Sequence, residues 1–148
     1  MHRIDRSALV LHPAETMYQL VNDVENYPAF LPGCTATRLI WSSEDEMVAE
    51  LTLSKAGIEY AFQTRNRLVP GRKVELHLEE GPFKSLEGVW QFTPLSDEAC
   101  KIQFHLEFEV EGRIRGLALT AILSQVANHL VDAFCKRADE IYGKIQID

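Results

Sequence analysis

The run Gly116-Leu117-Ala118-Leu119-Thr120-Ala121-Ile122-Leu123-Ser124-Gln125-Val126-Ala127-Asn128-His129-Leu130-Val131-Asp132-Ala133-Phe134-Cys135-Lys136-Arg137-Ala138-Asp139-Glu140-Ile141-Tyr142-Gly143 decides the fold. It contains no proline, and its glycines stand only at the two ends, where helices stop. Leu119, Ile122, Leu123, Val126, Leu130, Ala133, Phe134 and Ile141 recur at helical spacing and form one apolar stripe. Gln125, Asn128, Asp132, Lys136 and Asp139 take the opposite face. At about 1.5 Å per residue such a helix is roughly 40 Å long. A stripe of that length needs a large apolar partner.

The preceding residues supply it. From Cys34 onward the apolar period changes from 3.6 to 2. Turn signals recur at Ser42-Ser43-Glu44-Asp45, Lys55-Ala56-Gly57, Pro70-Gly71, Glu80-Gly81-Pro82 and Pro94-Leu95-Ser96-Asp97. Six strands with hairpin-length links make an antiparallel meander. One face collects Met47, Leu51, Leu53, Ile58, Tyr60, Phe62, Val74, Leu76, Leu78, Leu86, Trp90, Phe92, Ile102, Phe104, Leu106 and Phe108. The other collects Glu50, Glu59, Gln63, Arg65, Arg67, Glu75, His77, Glu79, Glu87, Gln91, Gln103, His105, Glu107 and Glu109. One wet face and one dry face mark a sheet covered on a single side.

Ahead of the meander, residues 3–11 read as a first strand. Pro13, with Ala14, Met17, Tyr18 and Val21 behind it, predicts a short helix over 13–22. A second short helix is expected over Val24–Phe30, hemmed in by Pro28 and Pro32. The whole is an α+β helix-grip layout: about seven curved antiparallel strands, two short N-terminal helices and a long terminal helix, in one domain over residues 1–148. A twisted sheet wrapped round a helix can leave space between them.

With 148 residues, 46% hydrophobic and 25% charged, the chain has the composition of a water-soluble globular protein. No run of about 18 consecutive apolar residues is present and the N-terminus lacks a signal-peptide core, so a cytoplasmic protein without a transmembrane segment is expected. The three cysteines, Cys34, Cys100 and Cys135, show no metal-type pairing and read as free thiols. A net charge of −7 argues against DNA or other broad nucleic-acid attachment, though not against a local basic patch.

The dry face offers little for catalysis. Its main polar members are Tyr60, Thr64 and Asn66, with no acid or base within a clear strand. No catalytic residue and no metal ligand is therefore assigned. The five histidines lack ligand spacing, and His77 and His105 fall on the wet face. Phosphate-binding loops and nucleophile elbows are absent from the sequence. Arg137, on the stripe near the end of the helix, reads either as a snorkelling side chain or as a group at a cavity mouth that holds a polar head.

Tyr60, Phe62, Trp90, Phe92, Phe104 and Phe108 read either as plain core or as the wall of a site for a flat or isoprenoid ligand. Tyr27, Phe30 and Leu31, with Leu123, Val126, Leu130, Phe134 and Arg137 of the helix, complete the candidate ligand-binding set. Arg65, Arg67, Arg72, Lys73 and Lys84 share one end of the outer surface if their strands are neighbours. They read either as a solvated face interleaved with carboxylates or as a contact for RNA phosphate.

Leu20-Val21-Asn22-Asp23-Val24-Glu25-Asn26-Tyr27-Pro28-Ala29-Phe30-Leu31-Pro32-Gly33-Cys34 resembles the signature of the coenzyme Q-binding, polyketide-cyclase-like branch of the START superfamily. Lys55-Ala56-Gly57, Thr64-Arg65-Asn66, Gly81-Pro82-Phe83-Lys84 and Trp90-Gln91-Phe92-Thr93-Pro94-Leu95 fit the same pattern, with the ribosome-association toxins of that branch nearest. The resemblance implies a non-enzymatic protein that requires no cofactor, binds ubiquinone or a related lipid and supports respiration. Alternatively, it implies binding to the large ribosomal subunit that blocks subunit union, with a small antitoxin protein as a further partner. In either case Tyr27–Cys34 reads as a proline-stiffened lid or as a rigid corner sealing the core.

Overall fold

The computed structural model describes residues 1–112 and 114–143, and the side chains of all of these but 114 and 115. In chain order the elements are β1 (His2–Val10), α1 (Ala14–Asn22), a 3-10 helix (Val24–Ala29), β2 (Cys34–Ser42), β3 (Glu46–Lys55), β4 (Ile58–Val69), β5 (Lys73–Glu80), β6 (Phe83–Pro94), β7 (Cys100–Val110) and α2 (Ile114–Tyr142). The seven strands form one antiparallel sheet in the order β1-β7-β6-β5-β4-β3-β2. The six-stranded meander is thus continuous, and β1 returns to pair with its last strand.

Local chemistry explains the joints. Lys55 and Ile58 pair across a two-residue turn in which Ala56 and Gly57 both have positive φ, 54° and 82°. That left-handed pair matches the twist of the flanking strands. Pro13 sits just outside α1, at φ −59° and ψ 150°, and its carbonyl accepts the Met17 N–H at 3.2 Å. The second short helix is of the tighter 3-10 kind and ends at Ala29, since Pro28 cannot donate to a longer ladder.

α2 begins at Ile114, two residues before the expected start, so Gly116 lies within its first turn. A Cβ there would meet Val110 Cγ2 at 2.9 Å and the Glu111 carbonyl oxygen at 3.2 Å. Gly116 therefore serves close approach where the helix leaves β7, not a helix stop. Gly143, at φ +79°, does close the other end, its N–H bonding the Asp139 carbonyl at 2.9 Å.

The helix stripe packs on the dry face of the sheet. Leu119, Ile122, Leu123, Val126, Phe134 and also Ala127, Val131 and Ala138 are buried. Ile141, expected to continue the stripe, is 48% exposed because the helix has by then run past the sheet. By length and composition alone α2 could cross a bilayer, a test that a core helix also passes. On the sheet, Ile58 is likewise exposed, at the hairpin tip. Phe92, Ile102 and Phe108 are sealed completely.

The outer face is laced with ion pairs: Arg3 with Glu107 at 3.1 Å, Arg38 with Glu50 at 3.3 Å, Lys73 with Glu75 at 2.7 Å. His105 bonds Asp5 at 2.5 Å and faces Glu107 at 3.2 Å, and the Asp5 hydrogen bond above all raises its pKa. A raised folded-state pKa gives stability that is full below the unfolded value, about 6.5, and lost as pH climbs through the folded one. His105→Gln is therefore expected to lower the melting temperature at about pH 6 and to match the parent near pH 9. Melting curves across that range check it.

Candidate functional site

Between the sheet and α2 the packing is incomplete. A cavity of about 90 Å³ is walled by Val21 and Val24 of the N-terminal helices, by Tyr27 and Leu31, by Leu51, Leu53, Phe62, Thr64, Asn66, Val74, Leu76, Leu86, Trp90, Phe104 and Leu106 of the sheet, and by Leu123, Val126, Ala127 and Leu130 of α2. Period-2 alternation brings the sheet residues to one face, and helical spacing brings Leu123, Val126, Ala127 and Leu130 opposite them.

Aromatic contacts fix the wall. Trp90 lies 4.5 Å from Phe104 and meets Phe134 of α2 edge-on at 5.4 Å. Phe134 in turn meets Tyr27 and Phe30, each at 5.3 Å. Phe62 meets Phe83 at 5.4 Å, and Phe83 meets Phe108 at 6.3 Å. Edge-to-face pairs of this kind add to the stabilisation from burial and hold rings in fixed places.

The ligand-binding candidates thus divide. Tyr27, Leu31, Phe62, Trp90, Phe104, Leu123, Val126 and Leu130 line the cavity. Phe92, Phe108 and Phe134 stand behind that wall as solid core, each 2% exposed or less. Tyr60 is half-buried and lies outside the lining. Phe30 and Arg137 form a separate pair: the guanidinium sits 5.2 Å from the ring centroid and also faces Glu140 at 3.8 Å. Arg137, with a side chain 27% exposed, is a partly snorkelling residue off the cavity.

The lining is nearly free of polar chemistry. Among the described residues it includes no Asp, Glu, Lys, Arg or His. The Tyr27 hydroxyl donates to the Val21 carbonyl, and burial pushes its pKa far above the usual phenol range. Thr64 and Asn66, each 5% exposed, are the other polar members. The Asn66 Nδ2 lies 3.9 Å from Met47 Sδ, and its Oδ1 has no hydrogen-bond partner. Leaving a buried amide oxygen unpaired costs about 1–3 kcal/mol. Sequence alternation placed Thr64 and Asn66 inward, but nothing in it signalled the unpaired oxygen.

The three thiols are free. Burial pushes each up to about 11, so they stay protonated at neutral pH. Among the described residues no group of three His, Cys, Asp or Glu is arranged to hold a metal. His12, unremarked by spacing, is buried and bonds Asp139 at 2.8 Å, tying the loop after β1 to the end of α2.

The basic candidates lie on neighbouring strands, but they do not share one end of the outer surface. Lys73 pairs across the strands with Gln91, and Lys84 stands near the other end of β6, because antiparallel pairing sets the start of β5 against the end of β6. Carboxylates also interleave them. Arg65 pairs with Glu46 and with Glu79, the latter at 3.1 Å. Lys73 pairs with Glu75, whose pKa is lowered by Lys73 first and by Arg67 beyond it. Arg72 and Lys84 are exposed and make no ion pair among the described residues.

Residues 10–135 match the model of the family described as polyketide cyclase / dehydrase and lipid transport. The chain belongs to that family. Within this polyketide cyclase and lipid transport family it is 49% identical to the ribosome association toxin RatA of Escherichia coli K12, over 97% of this chain and 90% of that one. It is 28% identical to the mitochondrial coenzyme Q-binding protein COQ10 homolog B of Xenopus laevis, over 90% of this chain and 56% of that one. The fold matches the Zhui aromatase/cyclase of Streptomyces sp. R1128 with a TM-score of 0.80 at 17% identity, covering 97% and 99% of the two chains. The helix-grip START architecture is thereby shown; the named sequence relatives are toxins and a coenzyme Q-binding protein, and the structural neighbours include an aromatase/cyclase.

Tyr27–Cys34 supplies two residues of the wall and one crossing point. Val126 lines both the cavity and an outer cleft of about 240 Å³ that also touches Pro32, Gly33, Ser54, Lys55, Ile122, Gln125 and His129. Gly33 has φ +89°, and a Cβ on it would stand 2.7 Å from Val126 Cγ2. Gly33→Ala is expected to lose about 1–3 kcal/mol through backbone strain, with added crowding of Val126. Urea unfolding of the two proteins checks it, and equal midpoints would contradict the assignment.

Proposed function

We propose that the protein is a non-catalytic START-type binding protein that holds the ring end of an apolar lipid, ubiquinone or a close analogue, in the cavity beside α2. The observation that carries this reading is the cavity wall itself: mostly aromatic and aliphatic, with no Asp, Glu, Lys, Arg or His among its described residues and with its one phenol, Tyr27, bonded to the Val21 carbonyl. Apolar pockets with few polar groups are built for hydrophobic ligands. The Xenopus relative's name, a coenzyme Q-binding protein, supports the same class of ligand. Cyclisation chemistry would need an acid or base beside the substrate; the described lining offers no carboxylate, imidazole or amine, and its Tyr27 hydroxyl is engaged by the Val21 carbonyl. No resident cofactor enters this reading, and a role in respiration is its physiological extension.

At about 90 Å³ the cavity is smaller than the roughly 150 Å³ that accepts benzene in an engineered core. Binding therefore widens it, and Val126, the side chain shared with the outer cleft, is the partition that must move. The chain has two tryptophans, Trp90 in the wall and Trp41 on the surface at 49% exposure. In a Trp41→Phe protein the remaining emission reports on the cavity. Short-chain ubiquinone is expected to quench it saturably, and organic extraction of the purified protein is expected to release a quinone. Absence of both effects contradicts the reading.

A second reading concerns the surface and does not compete for the cavity. The identity to a ribosome association toxin over nearly the whole chain favours a ribosomal contact, which this reading takes to be the large subunit, with union to the small one blocked. Arg67, Arg72 and Lys84 are the exposed cations on which such a contact would draw in a chain of net charge −7. A cytoplasmic location and a small antitoxin partner belong to this reading. Co-sedimentation with purified large subunits at low salt is expected. The triple reversal of Arg67, Arg72 and Lys84 to Glu is expected to weaken it at least tenfold, since each lost phosphate contact removes a counterion-release step. No co-migration at low salt would contradict it.

A further inference from the structure

We propose that Asn66, with Thr64 beside it, is the polar pole of the cavity and selects apolar ligands that carry a hydroxyl donor over matched ligands that offer only acceptors. This rests on the cavity-binding reading and names the chemistry of the ligand's head.

The argument begins with the amide. Asn66 lines the cavity at 5% exposure, and its Oδ1 has no hydrogen-bond partner. Its other end is engaged: Nδ2 lies 3.9 Å from Met47 Sδ. A thioether accepts weakly and cannot donate. Turning the amide over would set Oδ1 against the sulfur, acceptor to acceptor, so the carbonyl end is the one left for a ligand. A carboxamide oxygen is satisfied by an O–H or N–H and not by a carbonyl.

Thr64 supplies the second contact. It is two residues away on β4, so it shares the face and stands about 7 Å along the strand. Its hydroxyl can donate to, or accept from, the same ligand oxygen. The remaining polar member, Tyr27, is already spent on the Val21 carbonyl. The rest of the described lining is hydrocarbon and aromatic carbon apart from the Trp90 indole N–H. A ligand hydroxyl therefore finds its acceptor at one place, and this fixes which end of the ligand enters.

The consequence for a quinone-type ligand is a choice of redox state. A quinone ring presents two carbonyl acceptors, whereas the hydroquinone that differs from it by two electrons and two protons presents two donors. The pole favours the hydroquinone. The same logic favours a phenol over its methyl ether, which removes redox chemistry from the test.

The experiment titrates the Trp41→Phe protein with 4-propylphenol and with 4-propylanisole, reading Trp90 emission, and repeats both in Asn66→Leu and Thr64→Val backgrounds. Sites that hydrogen-bond a ligand hydroxyl reject the analogue lacking it strongly. The phenol is expected to bind at least about tenfold more tightly than the ether in the parent, with the preference lost in Asn66→Leu and reduced in Thr64→Val. The Asn66 side-chain amide resonances are expected to shift with the phenol and not with the ether, a readout that needs no substitution at Asn66. Equal affinity for both compounds, or a preference that survives Asn66→Leu, overturns donor selection and leaves the apolar-cavity reading standing. Failure of both compounds to bind the parent overturns both.

Discussion

The contact on which this structure depends is Phe134 of α2 against Trp90 of β6. Phe134 is fully buried, and its ring meets Trp90, Tyr27 and Phe30 at once. Burying such a side chain is worth about 1.5–3 kcal/mol from transfer alone. One ring thus fastens the terminal helix to the centre of the sheet and to the loop that follows the 3-10 helix. Toward the N-terminal end of α2 the facing side chains are Leu130, Ala127, Val126 and Leu123. They are too small to reach the curved sheet across its full width, and the space they leave is the cavity.

Charge is divided as sharply as packing. The carboxylates and cations of the sheet alternate outward and neutralise one another in exposed pairs, each worth little on its own. The inward positions carry carbon, with Thr64 and Asn66 as the exceptions. An interior arranged in this way can hold a molecule by desolvation and orient it by one hydrogen bond. The described wall carries no carboxylate, imidazole or amine. The ribosomal reading draws on the outer surface, so one domain can carry a ligand inside and a macromolecular contact outside.

Much of this was legible in the chain. Alternation from Cys34 to Val110 set the strands and their faces, because a period of two allows only one buried side once a helix must be covered. The stripe from Leu119 to Phe134 set the covering element. The resemblance carried by Tyr27-Pro28-Ala29-Phe30-Leu31-Pro32-Gly33-Cys34 pointed to the family that residues 10–135 match. Sequence did not tell which aromatics are wall and which are core. Phe92 and Phe108 share their faces with Trp90 and Phe104, and only the helix path separates the two groups. Nor did it tell that Arg137 pairs with Phe30, because depth along a stripe depends on where the partner sheet ends. The pairing of Arg65 with both Glu46 and Glu79 was likewise hidden, since it needs the register of three strands.

The central claim is that an accessible apolar space exists between the sheet and α2. Xenon pressurisation of crystals tests it most directly, because dry apolar cavities admit xenon. The account predicts xenon density bounded by Trp90, Phe104, Leu123 and Leu130. Density confined to surface clefts, with that space closed by side chains, would contradict it.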